Sequence, residues 1–257
     1  MKAIVLAAGY ATRLRPLTDE HAKELLPVGG RPIVDWILDR IAEVDEVDAV
    51  HVVTNAVKAP WFRAWAQGRD VTVHDDGTTS NDDRLGAIGD LRLVIREARL
   101  ESHDLLVIAG DNLLGFSLAD FVAFWHAHGV CSAVAVRDVG SRELATRYGI
   151  VDTAPDGRVV GFVEKPADPP STLAATATYV YHREHVPLVD RYLEEGNAPD
   201  QPGLLVAWLQ EREPVYAYRF DEEWFDIGDH AQLLEADNRL RARLGLPERT
   251  AYEIDTN

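Results

Sequence analysis

The chain has 257 residues, 46% of them hydrophobic and 27% charged, a globular composition rather than a disordered or membrane one. Its formal net charge of −17 makes a surface that repels nucleic acid and anionic membranes, which leaves small molecules as the expected partners. The single cysteine, Cys131, excludes an internal disulfide and any multi-cysteine metal site.

The N-terminal MKAIVLAAG carries one Lys and a short apolar run, so it reads as a first strand over Ala3–Ala8 and not as a signal peptide. No stretch approaches the roughly 18 apolar residues of a spanning helix, and a soluble, cytoplasmic protein is expected. Pro32–Val44 (PIVDWILDRIAEV) has apolar residues at helical spacing, Ala49–Thr54 (AVHVVT) reads as a strand, Pro60–Gln67 as a helix, Val71–His74 as extended and Leu85–Ala98 as a helix. Asp104–Ala109 (DLLVIA) is a strand ending in Gly-Asp-Asn, and the helix Leu118–His128 follows. Such alternation predicts a mostly parallel sheet covered by helices on both faces, with ligands beyond the carboxyl ends of its strands.

The second half is richer in strands, over Cys131–Asp138, Ile150–Thr153, Val159–Glu164 and Thr176–His182, with a hairpin turn at Asp156-Gly157. Helices over His185–Glu195 and Gly203–Glu211, a strand over Val215–Phe220 and a helix over His230–Leu244 complete the pattern. Asp229 is placed to cap that last helix. The final dozen residues read as a loose polar tail. The expectation is one domain in two halves, 1–130 and 131–244, that share a sheet, with 245–257 as the tail.

LAAGYATRL, Leu6 to Leu14, puts small residues directly after the first strand, where backbone N–H groups can come close to a large anion such as phosphate. Neither the Walker spacing nor Gly-x-Gly-x-x-Gly fits Gly9-Tyr10-Ala11-Thr12-Arg13-Leu14. What remains is a small-residue loop with Arg13 at its far end and Lys23 further on. Of the 26 basic residues only Lys2, Lys23, Lys58 and Lys165 are lysines, and Lys23 and Lys165 suggest sites where a compact point charge matters. Acidity with so little lysine also reads as a halophilic surface. His126 and His128 point in different directions on a helix and form no ligand pair.

LAAGYATRLRPLT followed by AKELLPVGGRPIVDWIL resembles the signature of the sugar-1-phosphate nucleotidyltransferases, L-A-A/G-G-x-G-T-R-L-x-P-L-T and then P-K-x-L-L-P-V. Ala11 stands where that family has Gly, and Ala22 where it usually has Pro. The likeness continues through RLGAIGDL (Arg84–Leu91), AGDN (Ala109–Asn112), YGIV (Tyr148–Val151), FVEKP (Phe162–Pro166) and WFDIG (Trp224–Gly228). It implies an α/β, three-layer Rossmann-like fold with a mostly parallel central sheet and a β-rich, sugar-binding second half. It also implies an enzyme similar to glucose-1-phosphate thymidylyltransferase, in which a nucleoside triphosphate (dTTP or UTP) and a sugar 1-phosphate (glucose 1-phosphate) give a nucleotide sugar and pyrophosphate with Mg²⁺. The chain ends soon after the helix that follows Asp226, so the hexapeptide-repeat β-helix of some relatives is not expected.

In-line attack of one phosphate oxygen on an α-phosphorus brings two anions together, so charge neutralisation and positioning matter more than a nucleophilic side chain. The resemblance assigns the metal to Asp111 and Asp226, oxygen ligands of the kind Mg²⁺ takes. It assigns the leaving pyrophosphate to Arg13, the nucleotide phosphates to Lys23 and the sugar phosphate to Lys165. Leu6, Ala8, Gly9, Ala11 and Thr12 would line the nucleotide, with Gly86 and Asn81 at the base, where an amide can pair with an imide edge. Gly149, Glu164, Thr178 and Tyr179 would face the sugar, with Ala177 where Gly is usual. Slower turnover is expected from Ala11. Guanylyl transfer to mannose 1-phosphate, cytidylyl transfer to phosphocholine and a non-catalytic nucleotide-sugar-binding subunit are the alternatives, and self-association is left open.

Overall fold

Residues 1–254 are described by a computed structural model. From the N-terminus, β1 (Lys2–Leu6) leads through a loop and α1 (Leu17–Glu20) to a hairpin of β2 (Pro27–Val28) and β3 (Arg31–Pro32), and then to α2 (Ile33–Ile41). The alternation continues with β4 (Ala49–Thr54), α3 (Ala59–Trp65), β5 (Thr72–Asp75), α4 (Ala87–Ala98) and β6 (Leu105–Ala109), followed by β7 (Asn112–Leu114) and α5 (Leu118–His126). The second half runs β8 (Ser132–Asp138), α6 (Arg142–Ala145), β9 (Gly149–Thr153), β10 (Val159–Glu164), β11 (Leu173–Tyr181), α7 (Leu188–Glu194), α8 (Pro202–Leu209), β12 (Val215–Phe220), β13 (Trp224–Asp226) and α9 (His230–Arg243).

The main sheet has the order β10-β9-β11-β6-β1-β4-β5, with β8 pairing β11 and β12 beside this path. β1 pairs β4 and β6 in parallel, and β4 pairs β5 in parallel; β11 turns antiparallel to β6 and β8. Alternate residues of the central strands face opposite layers, as a period of two requires. Ala3, Val5, Leu106 and Ile108 pack with Ile33, Ile37, Phe121, Trp125 and Leu233 of α2, α5 and α9. Ile4, Leu105 and Val107 pack on the other face with Ile88, Leu91, Ile95, Tyr192 and Leu205 of α4, α7 and α8. The result is a three-layer α/β fold whose main sheet takes strands from both halves of the chain. No helix among the described residues is long and apolar enough to cross a membrane.

Several expected boundaries move for local reasons. α4 begins at Ala87 rather than Leu85 because Gly86 holds φ +79, outside the helical region. α7 begins at Leu188, with Pro187 as its N-cap, and β11 starts three residues before Thr176 across a register irregularity in its pairing with β8. Asp229 does cap α9, its carboxylate accepting from the Gln232 N–H at 2.9 Å. The expected loose tail is corrected over 245–254. Asn238 exchanges hydrogen bonds with the Arg249 backbone, the Tyr252 hydroxyl donates to the Pro27 carbonyl, and Tyr252 and Ile254 pack on the core. Residues 255–257 of that expected tail lie outside the described residues.

His51 on β4 and His74 on β5 share a hydrogen bond of 3.0 Å, and His74 Nδ1 lies 2.7 Å from Glu97 Oε2. Burial, reinforced by His74 and Lys2, pushes the His51 imidazole down to about 4. The unfolded chain, with an ordinary value of about 6.5, therefore takes up this proton first as the pH falls. The stability tied to neutral His51 is complete above pH ~6.5 and is lost on the way down to about 4. Thermal unfolding followed across that window should show a steeper loss for the parent than for His51→Gln. Parallel curves would contradict this account.

Candidate active site

The loop after β1 is held from below. Thr54 Oγ1 and Asn55 Nδ2 donate to the carbonyls of Ala7 and Ala8 at 3.2 and 2.8 Å, and the Lys58 ammonium donates to the Gly9 carbonyl. The N–H groups of Ala8, Gly9, Tyr10 and Ala11 find no acceptor among the described residues. Carbonyls tied down with N–H groups left free make an anion-binding concavity. Ala11 takes φ +48 and ψ +39, the left-handed region that a side chain disfavours. Ala11→Gly is therefore expected to stabilise the fold by about 0.5–1 kcal/mol and to speed turnover. Urea unfolding and initial rates test this, and a destabilised variant contradicts it.

Lys23 lies in a 3₁₀ turn, 8% exposed, with its ammonium 2.5 Å from Asp111 Oδ2. Burial alone would lower its pKa, yet the carboxylates of Asp111 and Glu24 hold it above the ordinary value. Beneath it lies Glu24, whose buried Oε2 has no hydrogen-bond partner and sits 3.8 Å from the Lys58 ammonium. Burial lowers the Lys58 pKa, Glu24 opposes that shift and Lys23 adds to it. Lys58 thus belongs to the same charge network as Lys23. Sequence reading did not single it out, because no motif or local pattern ties it to the loop.

Asp111 and Asp226 are brought together by a short antiparallel ribbon in which β13 pairs β7 and Asp226 stands opposite Asn112. The Ile227 N–H donates to the Asp111 carbonyl, Asn112 Nδ2 donates to Asp111 Oδ1, and Trp224 Nε1 donates to Asn112 Oδ1. Burial first, and then the Asp111 charge, push Asp226 up to about 6 against the pull of Lys23, Arg13 and Lys165. Three cations and two carboxylates therefore share one field. Arg13 lies against Gly228, where an added Cβ would come within 2.8 Å of Nη2. Two carboxylates crowded so closely that one raises the other's pKa are a donor set a divalent cation fits. Mg²⁺ is an ion of that kind, taking one or two carboxylates and completing its shell with phosphates and water.

A cleft of about 1000 Å³ runs across the strand ends and is lined by Leu6, Ala8, Gly9, Arg13, Lys23, Asn81, Gly86, Asp111, Gly149, Glu164, Lys165, Tyr179 and Asp226. Ala11, Thr12 and Thr178 are not on its wall. Thr12 is exposed, while Thr178 is fully buried in β11 with its hydroxyl on the Thr176 carbonyl, so Thr176 and Ala177 line the cleft in its place. Two glycines have packing reasons that sequence reading did not supply. A Cβ on Gly86 would meet the Pro199 carbonyl group at 2.7 Å, and one on Gly149 would meet the Phe162 ring at 2.4 Å. Beside Phe162, Glu164 is raised in pKa by burial while Lys165, 3.7 Å away, pulls it down. Lys165 and Ala177 also hold positive φ, at +45 and +49, and local strain of this kind gathers at functional sites.

An anion-binding cleft across the strand ends of a doubly covered, mostly parallel sheet defines a Rossmann-like nucleotide-binding protein. Residues 2–243 match the family model for nucleotidyl transferase, and the chain belongs to that family. It is 28% identical to the UTP–glucose-1-phosphate uridylyltransferase of Synechocystis sp. over 89% of this chain and 60% of that protein. It is 29% identical to the glucose-1-phosphate adenylyltransferase of Thermotoga neapolitana over 93% of this chain and 60% of that one. The chain thus spans about 60% of the length of these curated relatives. Its fold matches a solved UDP-glucose pyrophosphorylase from Acinetobacter baumanii with a TM-score of 0.77 at 21% identity, covering 94% of this chain and 93% of the other.

Proposed function

We propose that this chain joins a nucleoside triphosphate to a sugar 1-phosphate, glucose 1-phosphate being the first acceptor to test, and releases pyrophosphate. The observation that carries the proposal is the meeting of Arg13, Lys23 and Lys165 with the carboxylates of Asp111 and Asp226 in one field at the middle of an open cleft. Asp111 and Asp226 would hold Mg²⁺, which when bound supplies positive charge to the reacting phosphate. The free N–H groups of the loop and the Arg13 fork take oxygens of the leaving pyrophosphate. Lys23 neutralises the nucleotide phosphates, and Lys165 orients the phosphate of the sugar. Glu164 accepts hydrogen bonds from sugar hydroxyls. The attacking oxygen is already an anion at neutral pH, so no side chain has to take a proton from it.

Pyrophosphate release, measured across glucose 1-phosphate, mannose 1-phosphate and phosphocholine with the common triphosphates, tests this directly. Turnover with a sugar 1-phosphate is the expected result, and none with any sugar 1-phosphate refutes it. The acidic, lysine-poor surface leads us to expect full activity in molar KCl and a decline in dilute buffer. Equal rates in both would remove the halophilic part of the proposal.

A further inference from the structure

The sheet order gives the cleft a direction. β9 and β10, which carry Gly149 and Glu164, lie near one edge; β6, followed by Asp111, and β1 lie in the middle; β5 forms the opposite edge. Asp76 directly follows β5, and Asp90 sits in the first turn of α4. Both line the cleft. On the transfer reading above, on which this inference rests, the part of the nucleotide beyond its phosphates lies at that far end, away from the sugar.

Asp90 is 6% exposed, and its buried Oδ1 has no donor within reach. Its acidic neighbour is Asp76, on the same cleft wall, whose charge acts on it. Asp76 Oδ1 is occupied by the Thr78 N–H and hydroxyl at 2.7 and 2.8 Å, and the Thr78 hydroxyl in turn meets Tyr10 OH at 2.9 Å. Burial and the neighbouring Asp76 push Asp90 up to about 8, and no cation contributes to that shift. Burial likewise raises Asp76. With two carboxyl groups on its wall, this corner of the cleft is rich in acceptors.

We propose that Asp76 and Asp90 read the nucleobase and select one that carries an exocyclic amino group, guanine, adenine or cytosine, over thymine or uracil. An imide edge presents two carbonyl oxygens around a single N–H, and those oxygens meet the carboxylate as like against like. An amino-bearing edge presents N–H donors, and guanine offers two side by side, matched to the two oxygens of one carboxylate. Asn81, whose side-chain amide pointed to an imide base from sequence, is exposed, and it is its backbone carbonyl that accepts a hydrogen bond, from Arg84. The buried pair therefore outweighs it.

The experiment measures kcat/KM for ATP, GTP, CTP, UTP and dTTP with glucose 1-phosphate, and in parallel the Kd of each triphosphate without acceptor. An amino-bearing triphosphate should lead UTP and dTTP by about tenfold or more in both readouts. Asp76→Asn and Asp90→Asn should shrink that lead to within about threefold. The inference is overturned if UTP or dTTP binds as well as the best amino-bearing triphosphate, or if both variants keep the parent's ratio. Should a variant fail to fold, the parent's own binding ratio decides. A binding preference without turnover on any acceptor sustains the base-reading pair and refutes the transferase reading. Failure of all five to bind refutes both.

Discussion

Asp226→Asn is expected to cut pyrophosphate release by roughly a thousandfold or more while leaving the melting temperature unchanged or higher. The two effects have one origin. Burial and the adjacent Asp111 already push Asp226 up to about 6, so its negative charge is a cost to the folded state that an amide of the same shape removes. The same charge is what a divalent cation would need, so the stabilising change is also the one that disables the site. Asp111→Asn provides the contrast. It deprives the buried Lys23 ammonium of its partner at 2.5 Å, and both stability and turnover should fall. An Asp226→Asn protein as active as its parent would remove this carboxylate from the proposed metal site.

Lys58→Met should be among the most damaging changes outside the cleft wall. The ammonium is 3.8 Å from Glu24 Oε2, both side chains are 3% exposed, and no hydrogen-bond donor reaches that oxygen. Leaving such a carboxylate without its counter-charge costs on the order of 3–5 kcal/mol. The Gly9 carbonyl is released at the same time, so the loop loses a tie and KM for the triphosphate should rise. Lys58→Met combined with Glu24→Gln separates these effects, because it restores charge balance without restoring the tie. Urea unfolding should recover most of the lost stability in the double variant, while KM stays high. A double variant no more stable than the single one would show that Glu24 is not the source of the loss.

Much of the scaffold was legible because its central strands are continuous apolar runs. AVHVVT, VVGFVE and VYAYRF have the limits that sequence reading gives them; the first lies inside the sheet, while the other two are edge strands whose apolar and β-branched or aromatic residues still mark them. The cap at Asp229 was legible for a local reason as well. The β7–β13 ribbon was not: each strand is three residues long, too short for any periodicity, and its partners lie far apart in the chain. The tail misled because polarity hides pairing, as the Asn238–Arg249 exchange shows. For Gly86 and Gly149, which line the cleft, the structure adds a packing reason that sequence could not carry, the closeness of Pro199 and of the Phe162 ring. Asp76 and Asp90 fall in an acidic stretch that looks like solvated surface until the sheet edge brings them against one another.

The ribbon that seats Asp226 opposite Asn112 has a bearing on the life of the molecule before it is finished. A nascent chain that has emerged only as far as α5 holds the phosphate loop, Lys23 and one aspartate, but lacks the other acid until α8 and β12 have followed it out. A centre that needs both carboxylates is therefore incomplete until β13 has followed β7 out and paired with it.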